Sequence, residues 1–507
     1  MKRNVLSLSM TAALVGLGFA GSAQAIVTIP TGTATDLRLS TDGVGHFLYV
    51  PYYSVQGGNT TLINLVNTDT TNGKAVKVRF RGASNSDDVF DFQVFLSPGD
   101  VWTANVSKNA AGLATLNTTD NSCTKPSKAI LNSSPFVTQR LDPTLTGDAL
   151  ANQTREGYVE IFNMADIPPN AAPTSLYTAI KHVNSVPPCS GAAWNALDVD
   201  LAGLAAATSA GLAFPTTGLM GDWIILNTVD AGAWSQKATA IAAIDANRQP
   251  VAGNLVYFPQ TGAAFVGPIA NYTADPVLVA RPSIAAMYDT PDFSIPYTNT
   301  SASPAFQAGL LSAAIATNNI YNEYLTGSGI NATTDWVLSM PTRRYSVAMD
   351  YTAPAARVYT ALPVNYFTAS NTAVIGRQVC VAGITSTTFD REENTPLNPT
   401  LVIISPNVPG QPAVYCGEAN VLSINNGESP SASGLITSPS GTLKATVARS
   451  SQDLPNGYNS GWINLGTPGL GAGLPILGYS ALRAVGAATL GGTFGATWEH
   501  KTNRIQK

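Results

Sequence analysis

Four cysteines, three histidines and a few tight groups of charge are the places where this 507-residue sequence could do chemistry. The histidines, His46, His182 and His500, are scattered. A hydrolase of the Ser-His-Asp kind needs such a residue beside a serine and a carboxylate in space. No G-x-S-x-G elbow marks where that would happen, and no Gly-rich phosphate loop follows a strand and opens a helix. The carboxylates cluster at Asp87-Asp88 and at Asp390-Arg391-Glu392-Glu393. Glycoside cleavage needs two carboxylates flanking one bond, and Ca²⁺ takes several oxygen ligands. Ca²⁺ is therefore the one cofactor these clusters suggest, although neither an EF-hand spacing nor a nonapeptide repeat is present; solvated loop carboxylates are the plainer expectation. Thr342-Arg343-Arg344, next to Tyr345, could hold an anion such as lipopolysaccharide, or could be satisfied internally by the Asp390–Glu393 cluster.

Cys123, Cys189, Cys380 and Cys416 lack the C-x-x-C or Cys/His spacing of a metal site. In an oxidising compartment they would form two disulfides, with three connectivities open. Nearness in sequence favours Cys123–Cys189 and Cys380–Cys416.

The elements that must position these residues read mostly as strands. The clearest is Lys74–Val106. Val76, Val78 and Phe80 alternate with Lys77, Arg79 and Arg81, and Phe90, Phe92, Val94 and Leu96 follow with the same period of two. Gly82–Asp88 is turn-rich, so the two runs predict an antiparallel hairpin. Its basic row is expected on a solvated face, opposite Asp87, Asp88 and Asp91. Strands are also expected at Gly45–Val55, Thr60–Asn67, Arg155–Met164, Asp222–Thr228, Trp336–Met340, Val374–Ala382, Leu401–Ser405, Val414–Ile424, Leu435–Thr437, Leu443–Ala448 and Trp462–Leu465. Two stretches read as helix, Ala192–Leu212 and Ser301–Leu325. The last, Gly466–Trp498, is dense in Gly and Ala and suits close strand packing. The fold class expected is mainly β, antiparallel β-sandwich domains with helical insertions.

Lys2 and Arg3, an apolar run from Val5 to Phe19 and Ala23-Gln24-Ala25 make a secretory signal peptide, cleaved near Ala25. Its loss would leave 25 basic against 31 acidic residues and move the formal net charge from −4 to −6. The organisation expected is a signal peptide over 1–25, a β-sandwich domain over 26–190, a mixed region with helical insertions over 191–333, and a β-rich domain over 334–507 ending in the Gly-rich stretch. Charged residues make up only 11% of the chain, against about 25% in an average protein. A weakly charged surface resists association poorly. The absence of a basic excess argues against nucleic acid as a partner.

Several stretches together carry a resemblance: PYYSVQ (51–56), TTLINLVNTD (60–69), NGKAVKVRFRGASNSDDVFDFQVFLSPGDVW (72–102), TDWVLSMPTRRY (334–345), DREE (390–393), CGEANVLS (416–423), GWIN (461–464) and LPILGYSA (474–481). With these the chain resembles the surface-layer (nanopod) proteins of comamonad bacteria such as Delftia and Acidovorax, over most of its length after the signal peptide. The resemblance implies a non-enzymatic, self-assembling lattice subunit, outside the outer membrane of a Gram-negative cell and around extruded vesicle tubes. Its partner would be itself, with attachment through an outer-membrane component such as lipopolysaccharide; no catalytic residues come with it. Lattice contacts are expected at the Gly-rich stretch and the helical insertions. The alternatives are a monomeric secreted carbohydrate- or ligand-binding β-sandwich and, behind it, a secreted hydrolase.

Overall fold

The computed structural model describes residues 27–29, 32–199, 201, 203–257, 259–260, 297–298, 304–327, 331–351, 357–359, 365–395, 414–426, 439–468, 473–485 and 492–504. The signal peptide expected over residues 1–25, and the strands expected at Leu401–Ser405 and Leu435–Thr437, lie outside the described residues.

The protein is mainly β, in several antiparallel sheets with a few short helices. The first half supplies β1 (Asp36–Leu39), β2 (Phe47–Ser54), β3 (Asn59–Asn67), β4 (Gly73–Gly82), β5 (Asp88–Leu96), β6 (Val101–Lys108), β7 (Ala114–Asn117), β8 (Cys123–Lys125), β9 (Glu156–Ile167), β10 (Leu219–Asn227), β11 (Gly232–Lys237) and β12 (Thr239–Ile244). They form a seven-stranded sheet, β1-β12-β2-β9-β4-β5-β8, and a five-stranded sheet, β11-β10-β3-β6-β7. The expected hairpin is β4 and β5, with Arg79 opposite Asp91. The two sheets pack face to face; Phe92 of β5 meets Trp102 of β6 at 5.5 Å between ring centroids. Because β10 to β12 belong to these sheets, the first sandwich runs past residue 190.

The second half supplies β13 (Asn319–Leu325), β14 (Ala332–Ser339), β15 (Thr372–Ile375), β16 (Gln378–Ala382), β17 (Thr385–Asp390), β18 (Val414–Cys416), β19 (Ala419–Asn426), β20 (Arg449–Leu454), β21 (Ser460–Gly466), β22 (Leu477–Val485), β23 (Thr493–Glu499) and β24 (Lys501–Asn503). Its sheets are β20-β19-β14-β22-β23, β17-β21-β13-β24 and β15-β16-β18. In the β20-β19-β14-β22-β23 sheet the inner strands β14 and β19 are buried on both faces, while the edge strand β23 is largely exposed. Val337, Val421, Tyr479 and Ala481 join the core of the first half. Their alternates, Trp336, Leu338, Leu422 and Ile424, join Ile320, Tyr324, Ile463 and Leu465 in a second core. Period-two alternation thus lets one sheet serve two cores.

Four expectations are corrected. Val374–Ala382 is not one strand but breaks at Gly376-Arg377 into β15 and β16, which pair with each other. Within Ser301–Leu325 the described helix is Pro304–Ile315. Beyond it, Ile320, Asn322 and Tyr324 alternate inward and make β13, paired with β21. Ala192–Leu212 yields only short helices, Ala192–Asn195 and Leu204–Ser209. The second starts after Gly203, whose φ of 90° no helix interior accepts. Leu443–Ala448 forms no strand; its backbone is held by side chains, as described next.

Candidate functional site

An unusual share of the chain's charge lies where water does not reach. Seventeen Lys, Arg, Asp and Glu side chains are buried among the described residues, and their densest group joins the two halves. The basic row of β4 is not solvated: Lys77, Arg79 and Arg81 are all at most 2% exposed. The acids expected opposite do pair with part of it, Lys77 with Asp91 at 2.5 Å and Arg79 with Asp88 at 3.3 Å. The second face of the sheet is covered, so what looked like a wet row is a buried one.

Arg81 reaches instead to Glu160 of β9 at 2.9 Å. Glu160 also receives Arg344 at 2.9 Å from the second half. Beside it, Arg343 pairs with Glu418 at 2.6 Å and donates to the carbonyls of Gly417 and Val379. Glu418 further accepts the Arg344 backbone N–H at 2.9 Å. The arginines' partners are therefore Glu160 and Glu418, and not the Asp390–Glu393 cluster. That cluster lies in an exposed turn, where Asp390 accepts from the backbone of Glu392 and Asn394. Arg344 also lies over the Tyr345 ring at 4.2 Å. Taking charges out of water is costly unless each is paired and hydrogen-bonded, and these are.

Two more carboxylates clamp the 439–448 segment. Glu156 of β9 accepts from the N–H groups of Thr446 and Val447, from Gln56 at 2.7 Å and from Tyr52 at 3.0 Å. Burial, against these hydrogen bonds, raises its pKa. Asp335 of β14 accepts from the N–H groups of Thr442 and Leu443 and from the Ser423 hydroxyl. Side-chain oxygens thus replace the ladder that a strand would need.

Asp87 and Asp88 have different partners. Asp88 faces Arg79, while Asp87 accepts from the Tyr351 hydroxyl across the junction at 2.5 Å. Burial pushes the Asp87 pKa up to about 7. Among the described residues no group of three or more His, Cys, Asp or Glu is placed to hold a metal ion.

The histidines occupy three settings. His46 is buried and its Nδ1 accepts from the Ala243 N–H at 3.1 Å. His500 sits at the corner where β23 passes into β24; Nε2 donates to the Val337 carbonyl at 3.0 Å, so Nδ1 accepts from Asn322 at 3.0 Å. Burial lowers both pKa values to about 3. His182 stands near Ser97 and Asp100, at 3.5 and 3.6 Å. Both approach the same nitrogen, Nδ1, and the Ser97 hydroxyl donates to Asp100 at 3.2 Å. A relay needs the serine on the opposite ring nitrogen, so this trio ties a turn.

The cysteines form Cys123–Cys189 and Cys380–Cys416. The second joins directly opposed residues of β16 and β18. An open hollow of about 490 Å³ is lined by Pro168, Tyr177, Leu204 and Phe214, with no carboxylate, histidine, lysine or arginine. A smaller cleft of about 100 Å³, between the halves, is bordered by Lys237, Glu499, His500 and Arg504. The Arg504 guanidinium is occupied by the carbonyls of Ile315 and Ile476.

Sequence reasoning missed Glu156, Glu160, Asp335 and Glu418. The usable signal was economy: in a chain only 11% charged, four bases within eight residues of one strand call for acids on a neighbouring strand. No protein-family model matches the chain, and no curated protein matches it.

Proposed function

We propose that this chain is the structural subunit of a self-assembling layer on the outer surface of a Gram-negative envelope, exported and held to the outer membrane through a component such as lipopolysaccharide. One observation carries the assembly reading. Charge is scarce, 11% of the chain, and seventeen of the charged side chains among the described residues are buried, so the outside is left short of the repulsion that keeps proteins apart. The resemblance to nanopod surface-layer proteins supplies the place and the geometry of a sheet. The two disulfides suit an oxidising compartment. The ionic junction suits a rigid building block: it fixes one half on the other by partners that cannot be exchanged singly.

The test is negative-stain microscopy of the envelope with sizing of the purified chain. Ordered arrays on cells, and large assemblies in solution, are expected. Single particles at high concentration, with a bare envelope, would overturn the reading. One observation favours the monomeric carbohydrate-binding alternative. Phe389 and Trp462 stack at 4.5 Å on the outer face of the four-stranded sheet, and Trp462 is 40% exposed. Monomers that bind polysaccharide through Trp462 would select that alternative.

A further inference from the structure

The β11-β10-β3-β6-β7 sheet has one face in the core and one outward face, whose positions are half-buried or exposed. The outward positions alternate strictly: Thr60, Leu62, Asn64 and Val66 on β3; Met220, Asp222, Ile224 and Leu226 on β10; Val101, Thr103 and Asn105 on β6. Register places them in rows. Ile224, Leu62 and Asn105 lie side by side, as do Asp222, Asn64 and Thr103, and then Met220, Val66 and Val101. An antiparallel sheet with one wet face normally turns charged and polar residues outward. Here the outward rows read like interior ones. Val101 is 44% exposed, and the charges on β3, β6, β7, β10 and β11 that share this face are Asp222 and Lys237, opposite each other at the β10–β11 edge.

We infer that this face is the contact by which one copy of the chain packs on a second, sheet against sheet. The chemistry narrows the occupant. The face carries no aromatic ring on which a sugar could stack. It has no cluster of cations for phosphate, nucleic acid or an anionic membrane. A near-neutral face meets its own copy without repulsion, and its Asn and Thr side chains both donate and accept, so they satisfy one another across a two-fold axis. The area also suits it. Five strands about 4.8 Å apart and up to nine residues long, at about 3.3 Å each, span roughly 700 Å². A stable interface takes about 800 Å² from each partner. Two such faces would pack about 10 Å apart, as sheets do within a sandwich.

This inference rests on the assembly reading, and the test separates the two. The full-length secreted chain is compared with Ile224→Glu and Leu62→Lys by sedimentation velocity and negative stain, with circular dichroism as the check on folding. Thr103→Arg, at an exposed polar position, serves if the apolar variants misfold. Val183→Glu, 61% exposed and off this sheet, is the control. The expected result is association for the wild type and the control, and at least a tenfold weaker association for each face variant. A wild type that associates together with face variants that associate equally well removes this face and leaves the assembly reading standing. A wild type that stays monomeric removes both.

Discussion

At the scale of single residues, the protein uses its few charges against one another. Glu418 is 1% exposed and held by Arg343 and by the Arg344 backbone. Glu418→Gln leaves Arg343 buried without its counter-ion, and should cost about 3–5 kcal/mol in denaturant unfolding. The double variant Arg343→Met, Glu418→Leu should recover most of that loss, because both partners then go together. Asp87 gives a pH signature. Its carboxyl is raised from an ordinary 3.8 to about 7 by burial, with the Tyr351 hydrogen bond and the charges of Arg140 and Arg81 opposing. Between those values the folded state holds a proton that the unfolded chain has released. The stability it supports is therefore full below about pH 4 and is lost as pH rises toward 7. Asp87→Asn should flatten that part of the stability–pH curve in thermal melts across pH 4–7; an unchanged slope would place the proton elsewhere.

At the scale of elements, period-two alternation made many strands legible, and turn chemistry made the β4–β5 hairpin legible. The β15–β16 hairpin was not: Val374–Ala382 read as one strand, yet it turns through Gly376 and Arg377, at φ of 55° and 66°, as a two-residue turn of this hand demands. What alternation cannot tell is whether the second face meets water. Val76, Val78 and Phe80 were readable as inward; that Lys77, Arg79 and Arg81 are also inside depended on a layer supplied far along the chain. The same limit hid Glu160 and Glu418, whose partners lie more than seventy residues away in sequence. Asn319–Leu325 read as helix because its aromatic residues also fit a helical stripe; pairing with β21 decided it. Close approach is a further constraint that only packing reveals. A Cβ on Gly157 in β9 would lie 1.8 Å from the Arg81 carbonyl oxygen. Gly157→Ala should therefore destabilise by about 3 kcal/mol, read as a shift in denaturation midpoint.

At the scale of the whole molecule, the two halves share cores, carboxylate clamps and an edge. Trp223 packs on Tyr479 at 4.5 Å, Trp234 donates to the Leu482 carbonyl at 2.8 Å, and the Ser235 N–H reaches Thr497 at 3.1 Å. Part of the Gly-rich end is thus built into the fold: β22 lies between β14 and β23, inside the protein's own sheet, while the edge strand β23 leaves Phe494 and Trp498 exposed. Deleting residues 466–507 would take out a central strand, and is expected to abolish folding and to leave a chain cleaved throughout by limited proteolysis. A resistant core of the remaining size would show that the first half stands without it.

The position of β22 also orders events in time. A chain delivered amino end first can build its seven-stranded sheet early, yet β14 must wait for a neighbour made almost 140 residues later. Until that neighbour arrives, Trp336 and Val337 have no permanent cover, and contacts so distant in sequence are slow to find. Completion is therefore a last-moment event, set by the arrival of Leu477–Val485.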